Sequence, residues 1–294
     1  MAVRNPLGSD YGRLFTVDTG RGTLEIMSPD TLAAHLYSRR GRDVFFKDLD
    51  FGDTTMNADP WTKSADGTAT TFTADVTVPG GAIKGVTGTT GEGAVSLFGA
   101  PILQPQLNAG FEVSMKVSAI TELRLEAGLV NVITDKTLPV CTDVDGTPTF
   151  AANSTEVAIM SWQTDNTIAT PRFVGDSATY TTAKGATLMT PYGYAAADQT
   201  AWTPTADTWF SVRVQTYGKT GSNSTSVNSV DCAIFDDKNN IVAYTMFDRI
   251  AGAGTGGLTG TAMLAPWVFC ATVDTTSKDV HVRYARYWAD RYIS

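Results

Sequence analysis

Residue-by-residue alternation of apolar and polar side chains is the feature that most limits what this chain can fold into. Over segments of five to nine residues, every second side chain is apolar, as in a β-strand that buries one face. Because little helical periodicity lies between these segments, we predict an all-β fold in which two antiparallel sheets pack as a sandwich. The eight alternating segments are 111–117, 122–126, 156–162, 209–217, 230–235, 241–246, 267–273 and 280–288.

Net charge excludes two broad classes of partner. The 294 residues carry a formal charge of −8, so nothing attracts a polyanion, and we predict no binding to nucleic acid or to anionic membranes. No stretch approaches the roughly 18 apolar residues of a membrane span, and residues 1–10 lack the apolar core of a secretory signal. Three scattered cysteines indicate free thiols in a protein that folds in a reducing cytosol.

Residues 1–43 differ from the rest of the chain in charge. Six of the 22 basic residues and five of the 30 acidic residues lie in this segment, a balance of +1 that leaves −9 on the remainder. Its one helical signal runs from Ser28 to Gly41, with a Ser-Pro-Asp start, apolar residues on one face and a glycine stop. We predict an extended N-terminal arm that contains one short helix.

Two interpretations of this arm remain open. Terminal segments are often frayed; alternatively, the arm is an anchor that becomes ordered on a partner surface. In the second interpretation, apolar side chains offset the entropy cost of ordering, and arginines pair with carboxylates of the partner. The residues predicted to bind the partner are Leu7, Phe15, Arg39, Arg40 and Arg42.

The body is predicted to run over residues 44–294 as one domain. Between residues 140 and 205 the alternation is weak and prolines recur, so we predict long loops over one sheet face there, apart from the strand at 156–162. Tryptophans inside predicted strands are expected in the core, because a strand buries its large apolar side chains. These tryptophans are Trp162, Trp209, Trp267 and Trp288.

The order of aromatic segments is similar to that of concanavalin A-like, or laminin-G-like, jelly-roll domains. The body opens with Phe45-Phe-Lys-Asp-Leu-Asp-Phe-Gly52, and Trp61 follows. A late segment reads Trp209-Phe-Ser-Val-Arg213, and the final strand ends in Arg286-Tyr-Trp288. The resemblance covers residues 44–294 and implies an antiparallel two-sheet jelly-roll sandwich.

Phage virion proteins, among them capsid decoration, tail and fibre proteins, often carry such modules behind an N-terminal attachment arm, and this chain is similar to them in layout. The resemblance implies a non-enzymatic structural protein of the virion, assembled in the host cytoplasm, as a homo-oligomer or in many copies. The first expectation is a capsid decoration or auxiliary protein, bound to other virion proteins through the arm. A tail or fibre component and a carbohydrate-binding module are the alternatives.

An enzymatic alternative comes from family-16-like glycoside hydrolases, which share the jelly roll and use Glu-x-Asp-x-Glu on one strand. Here Glu122-Leu-Arg-Leu-Glu126 has that spacing, with Arg124 in place of the aspartate. A cation between two carboxyl groups lowers the pKa of both, whereas a general acid needs its pKa raised. We therefore predict a surface ladder of alternating charges, no catalytic residues and no enzyme activity.

Two ligand classes remain to be considered for the body. Asp143-Val-Asp145-Gly146 is similar to the start of a calcium loop, but the remaining ligands are missing. We therefore predict no cofactor and no metal site, with calcium as the alternative. A glycan, such as one on a cell surface, would bind exposed aromatic rings outside the predicted strands. The candidates for glycan binding are Trp202, Tyr192 and Tyr194.

Overall fold

Two large antiparallel sheets form the body of the protein, and they confirm the predicted all-β, jelly-roll sandwich. The computed structural model describes side chains for most residues between Trp61 and Asp290, and strand backbone at a few further positions. The described ranges are 3–4, 15–18, 23–26, 44–50, 61–131, 133–143, 149–150, 154–165, 170–177, 185–188, 202–218, 227–248 and 258–290.

Strands account for almost all regular structure in the described ranges, with one short 3-10 helix at Pro105–Leu107. The first ten strands are β1 Val3–Arg4, β2 Phe15–Asp18, β3 Thr23–Ile26, β4 Val44–Asp50, β5 Thr62–Ala65, β6 Thr70–Ala74, β7 Ile83–Val86, β8 Ala94–Phe98, β9 Gly110–Val117 and β10 Leu123–Val130. The other ten are β11 Cys141–Asp143, β12 Thr149–Phe150, β13 Glu156–Gln163, β14 Arg172–Ser177, β15 Gly185–Leu188, β16 Phe210–Gly218, β17 Val227–Phe235, β18 Ile241–Asp248, β19 Ala265–Thr272 and β20 Asp279–Asp290.

The two sheets differ in how their strands are ordered. The seven-stranded sheet has the order β15-β14-β13-β10-β19-β8-β5. The eight-stranded sheet has the order β18-β17-β16-β9-β20-β7-β6, and β4 pairs with β20 beyond the end of β7. Strands matching all eight segments predicted from alternation are present, so the period-2 pattern located them correctly.

Alternation places one set of side chains between the sheets. In β9, Phe111, Val113 and Met115 are buried against the facing sheet, whereas Glu112 and Ser114 lie on the outer face. The same rule places apolar residues of β10, β13, β16, β19 and β20 in this inter-sheet core. The three cysteines are buried free thiols, as predicted: Cys141, Cys232 and Cys270.

A second apolar cluster covers the other face of the seven-stranded sheet. Trp267 and Phe269 stack there with ring centroids 5.8 Å apart, and Ile159 is buried beside them. Residues 133–143, which we call the strap, contribute Val140 to this cluster. Because the strap covers that face, every residue of β13 and β19 is buried and neither strand has a solvated side.

Two sequence predictions about the body are wrong. The region predicted as long loops includes four strands besides β13: β11 and β12 pair with each other, and β14 and β15 extend the seven-stranded sheet beyond β13. The sequence analysis missed these strands because the region is rich in glycine and proline, which is typical of loops. Trp209 is not in the core but lies partly buried among outer-face residues, one position before Phe210, which is in the core. The other three in-strand tryptophans are buried, as predicted.

The N-terminal segment contains a small sheet that the sequence did not predict. Strands β1, β2 and β3 pair in that order, with Phe15 opposite Ile26. Each strand has four residues or fewer, which is too short for a period of two to be recognised, so chain predicted as extended is paired here. The predicted helix lies outside the described residues, as do Leu7, Arg39, Arg40 and Arg42.

Trp288 occupies a space that exists only because its neighbour is a glycine. A Cβ atom on Gly110 would lie 2.2 Å from two carbons of the Trp288 ring, well inside van der Waals contact. The indole Nε1 donates a hydrogen bond to Gln215 Oε1 at 2.8 Å, and Gln215 Nε2 donates to the carbonyl of Thr216 at 2.7 Å. The position of the Trp288 ring and its hydrogen bond to the Gln215 amide therefore require a residue without a side chain at position 110.

Candidate functional site

The charged residues of segment 122–126 do not form the predicted surface ladder. Glu122 precedes β10 at a φ of +50° and is exposed, and the partly buried Arg124 contacts Asp165 at 3.0 Å (Nη2 to Oδ2). Glu126 is fully buried. The prediction is wrong for Glu126 because the strap covers this part of β10, so side chains that alternate onto one face meet different surroundings.

Glu126 fastens the strap to the sheet. Its Oε2 accepts hydrogen bonds from the backbone N–H of Val140 at 2.9 Å and from Trp267 Nε1 at 2.8 Å. Its Oε1 accepts the backbone N–H of Cys141 at 2.7 Å, and Gln163 Nε2 donates to the Cys141 carbonyl at 2.6 Å. Three N–H donors thus converge on one carboxyl group, which lies inside the protein.

Burial raises the pKa of Glu126 from 4.5 to about 7, although the three N–H donors and Arg124 oppose that shift. A raised pKa is one property of a general acid, but a catalytic acid must also come within hydrogen-bonding distance of a substrate oxygen. Both oxygens of Glu126 are held by the strap and by Trp267. The group therefore has a structural role and is no partner for Glu122 in catalysis.

An open cleft of about 400 Å³ lies at one end of the seven-stranded sheet. Four neighbouring strands meet there: β8 and β10 end, and β13 and β19 begin. The cleft is lined by an amide, a carboxylate, three threonines and three apolar residues. The lining residues are Pro101, Asn131, Thr155, Glu156, Thr259, Thr261, Ala262 and Met263.

The Asn131 side chain organises one wall of the cleft. Its Oδ1 accepts hydrogen bonds from Ser154 Oγ at 2.7 Å and from the backbone N–H groups of Thr155 and Glu156, both at 3.1 Å. Its Nδ2 donates to Thr155 Oγ1 at 2.7 Å. One amide therefore fixes the turn that leads into β13, and with it the position of Glu156.

Glu156 connects that wall to the opposite one. Its Oε2 accepts the backbone N–H of Thr259 at 2.9 Å, and its Oε1 accepts the Thr259 hydroxyl at 2.6 Å. The carboxylate is buried, with 5% of the residue exposed. Thr259 leads into β19, so this pair holds the two walls at a fixed separation and gives the cleft a preformed shape.

An apolar edge completes the cleft. A bridge between Leu103 and Leu264 buries those two side chains, whereas the adjacent Ile102 and Met263 remain 43% and 42% exposed. Met263 borders the threonines and Glu156. The arrangement joins rigid hydrogen-bonding groups to an exposed apolar surface, which is the composition of a site that binds a small polar ligand.

Sequence reasoning did not single out this cleft. Asn131 directly follows β10 and Thr259 lies in the segment before β19, both without a motif, and Glu156 is only the first residue of a predicted strand. The one available signal was a carboxylate and an amide next to strand ends, where loops converge.

Of the residues predicted to bind a glycan, Trp202 alone is among the described residues. Trp202 packs partly buried against the core, with its ring edge-on to Phe210 at 5.5 Å between centroids, so it is not the exposed platform that was expected. Tyr192 and Tyr194 lie outside the described residues. The roles of all three in glycan binding stay predictions.

Within the part of the chain that the structure describes, no three side chains of His, Cys, Asp or Glu converge on a point that could hold a metal ion. Asp145 and Gly146 of the calcium-like segment lie outside those residues, so calcium stays untested. None of the described helices has the length and apolar character needed to cross a bilayer.

Comparison with known proteins gives likeness of fold alone. No protein-family model matches the chain, and no curated protein does. A protein of unknown function from Shewanella oneidensis MR-1 is 12% identical, with a TM-score of 0.48, over 90% of this chain and 98% of that one. Peanut lectin is 10% identical, with a TM-score of 0.47, over 85% and 99%. The CBM2 module of the evolved Dit of Lactobacillus casei BL23 phage J-1 is 9% identical, with a TM-score of 0.49, over 86% and 98%.

These likenesses concern the arrangement of strands and carry no argument about function. The class that the fold defines is a two-sheet antiparallel β-sandwich. To that sandwich the described residues add the strap held by Glu126 and the cleft held by Asn131 and Glu156.

Proposed function

We propose that this chain is a non-enzymatic binding module that recognises a carbohydrate in the cleft between Asn131 and Met263. The observation that carries the proposal is the preformed cleft itself, in which hydrogen-bonding groups face an exposed apolar edge. A sugar ring offers both matching surfaces, hydroxyl groups on its rim and C–H groups on its face. Walls fixed before binding reduce the entropy cost of association.

The polar groups of the cleft suit hydroxyl ligands. Thr261 is exposed at the lining, and Thr155 is exposed beside the Asn131 amide. Threonine hydroxyls both donate and accept hydrogen bonds, as sugar hydroxyls do, so either partner can adjust to the other. Met263 supplies a flexible apolar contact beside them.

The cleft does not have the groups for glycoside hydrolysis. A glycosidase of the usual kind needs two carboxyl groups that flank the scissile bond. Among the described lining residues, Glu156 is the one carboxylate, and its two oxygens accept hydrogen bonds from Thr259. The proposed module therefore binds and does not cleave.

Filling the cleft is expected to abolish carbohydrate binding. Thr261→Arg places a long charged side chain at the exposed lining without touching the buried core. A glycan array first identifies the glycans that the wild type binds. For these glycans we expect the affinity of the variant to be at least about tenfold lower, or about 1.4 kcal/mol, as measured by calorimetric titration of the full chain.

Thr275→Arg is the matched control. Thr275 is an exposed threonine between β19 and β20, at the opposite end of the sandwich. The control should bind like the wild type. If Thr261→Arg bound glycans as tightly as the wild type, or if the wild type bound no glycan on the array, carbohydrate recognition in this cleft would be refuted.

We further propose that residues 1–43 attach this module to other proteins of a phage particle, as in a capsid decoration protein or a tail or fibre component. The segment carries a balance of +1 beside a body of −9. Its three described strands pair with one another and with no strand of the two large sheets. A locally folded, arginine-bearing segment can bind carboxylates on a partner through bidentate pairs.

Charge reversal in the arm is expected to detach the protein from particles. In the triple variant Arg39→Glu, Arg40→Glu, Arg42→Glu, each new carboxylate would repel the acidic groups that the arginines are proposed to bind. Co-sedimentation with particles should fall at least tenfold. Lys238→Glu, an exposed charge reversal in the β17–β18 turn, should leave it unchanged. Full attachment of the triple variant would eliminate these arginines as the anchor.

A further inference from the structure

The outer face of the eight-stranded sheet carries cations, although the chain as a whole has a charge of −8. Registers across β7, β20 and β9 place Lys84, His281 and Lys116 side by side. Two rows further along, Glu112 of β9 lies between Arg213 of β16 and Arg286 of β20. We call this surface the cationic face, and its basic residues are Lys84, Lys116, Arg213, Arg283 and Arg286.

Three acids of this surface are buried among its cations, and a fourth, the partly exposed Asp279, pairs with Lys84 at 2.8 Å. Glu112 is 2% exposed and accepts a hydrogen bond from Tyr284 Oη at 2.9 Å. Asp231 is 4% exposed and accepts one from Tyr217 Oη at 2.8 Å. Asp75 is similarly buried against His281. Since the three buried carboxylates are withdrawn from solvent and Asp279 is paired with Lys84, the positive charge offered to a partner is that of Lys116 and the arginines.

Aromatic rings hold several of these cations in place. Arg283 and Lys116 both lie over the Trp209 ring, at 4.1 Å and 5.5 Å from its centroid, and Arg213 lies 4.7 Å from the Phe235 centroid. Within the described ranges, no carboxylate comes within salt-bridge distance of Lys116 or Arg283. A guanidinium stacked in this way loses little entropy when it pairs with a carboxylate.

We propose that the cationic face binds the acidic end of a second copy of this chain. The acidic end consists of Glu92 and Asp165, which lie 3.8 Å and 3.0 Å from Arg124, and of Glu122 just before β10 begins. Glu92 has 73% of its side chain exposed and Glu122 is exposed, whereas the Asp165 side chain is 19% exposed because it pairs with Arg124. Three carboxylates and one arginine leave negative charge to complement the face of the next copy.

A second copy fits this surface better than a sugar does. Stacking of a sugar needs a bare aromatic face, and the Trp209 and Phe235 rings already carry cations. Arginine together with tyrosine and tryptophan is instead the composition of protein interface hot spots. Because the contact joins two different surfaces, it is heterologous, and copies assemble into a closed ring or a chain.

Charge-reversed variants of the full chain test this contact. The face variant is Lys116→Glu with Arg283→Glu, and the end variant is Glu92→Lys with Glu122→Lys. By sedimentation velocity at 50 mM salt, which about doubles the reach of charges relative to 0.2 M, the wild type should self-associate. Each variant alone should associate at least tenfold more weakly, and an equimolar mixture of the two should recover association.

The mixture distinguishes the proposal from simple loss of folding. An unfolded variant could not recover in a mixture, and circular dichroism with the milder Lys116→Gln, Arg283→Gln pair provides a second check. Lys136→Gln removes a cation stacked on Phe98 over the other sheet and should change nothing. A monomeric wild type, or variants that associate as it does, would overturn the proposal. Retention of a monomeric wild type on heparin would overturn it too, and would assign the face to an anionic glycan.

Discussion

Glu126→Gln is expected to loosen the strap and to cost about 2–4 kcal/mol of unfolding free energy at pH 5. A glutamine amide offers one oxygen, whereas Glu126 accepts three N–H groups, from Val140, Cys141 and Trp267. The amide NH2 must therefore face at least one of these donors, and a buried N–H loses its acceptor. Urea denaturation measures the loss, and hydrogen exchange should show faster exchange at the Val140 and Cys141 amides.

The same variant is expected to remove a pH dependence. Because the pKa of Glu126 is about 7 in the folded protein and 4.5 is its ordinary value, the folded state binds the proton more tightly. The resulting stabilisation is complete below pH 4.5 and is lost as pH rises through 7. The stability difference between wild type and variant should therefore shrink by roughly 3 kcal/mol from pH 4.5 to pH 8.

Glu122→Gln is the control for both measurements, since it makes the same change four residues away at an exposed position. It should leave stability and its pH profile within about 0.5 kcal/mol of wild type. If Glu126→Gln kept the wild-type slope with pH, Glu126 would not be the titrating group, and its role in holding the strap would have to be abandoned.

Gly110→Ala is expected to cost about 3 kcal/mol, the upper part of the range for overpacking a buried site. The new Cβ would lie 2.2 Å from the Trp288 ring, so the ring must move and break its hydrogen bond to Gln215. The buried Gln215 Oε1 then loses the N–H that it accepts. Thermal unfolding monitored by circular dichroism measures the change.

Gly91→Ala provides the comparison for this prediction. A Cβ on Gly91 would meet nothing closer than the Val273 carbonyl oxygen at 3.8 Å, which is ordinary contact. We expect this variant to lie within about 1 kcal/mol of wild type. A Gly110→Ala protein as stable as Gly91→Ala would show that the Trp288 ring relocates freely.

The strands could be predicted from sequence because burial of one face places an apolar residue at every second position. Phe111, Val113 and Met115 repeat at every second position and face the other sheet. The charge of −9 on the body was also visible, but its distribution between an acidic end and a cationic face was not. That distribution depends on which strands are neighbours in each sheet.

What the sequence could not indicate is the environment on each side of a strand. Glu122, Arg124 and Glu126 share one pattern, but a strap from later in the chain buries only the last of them. Trp209 has a large apolar side chain of the kind expected in the core, but its position places it among cations of the outer face. The cleft joins Asn131, Glu156 and Thr259, which are close only after the sheet has formed.

Strand β20 has a consequence for how the protein is made. It pairs with β9 along one edge and with β7 and β4 along the other. These three strands, within residues 44–117, therefore cannot form those pairs until residues 279–290 have been synthesised. Ribosomes add roughly 5–20 residues per second, so the intervening stretch takes on the order of ten seconds or more to emerge. During that interval the earlier strands expose unpaired edges, which are open to aggregation. The protein is therefore most in need of chaperones during synthesis, when these edges can aggregate.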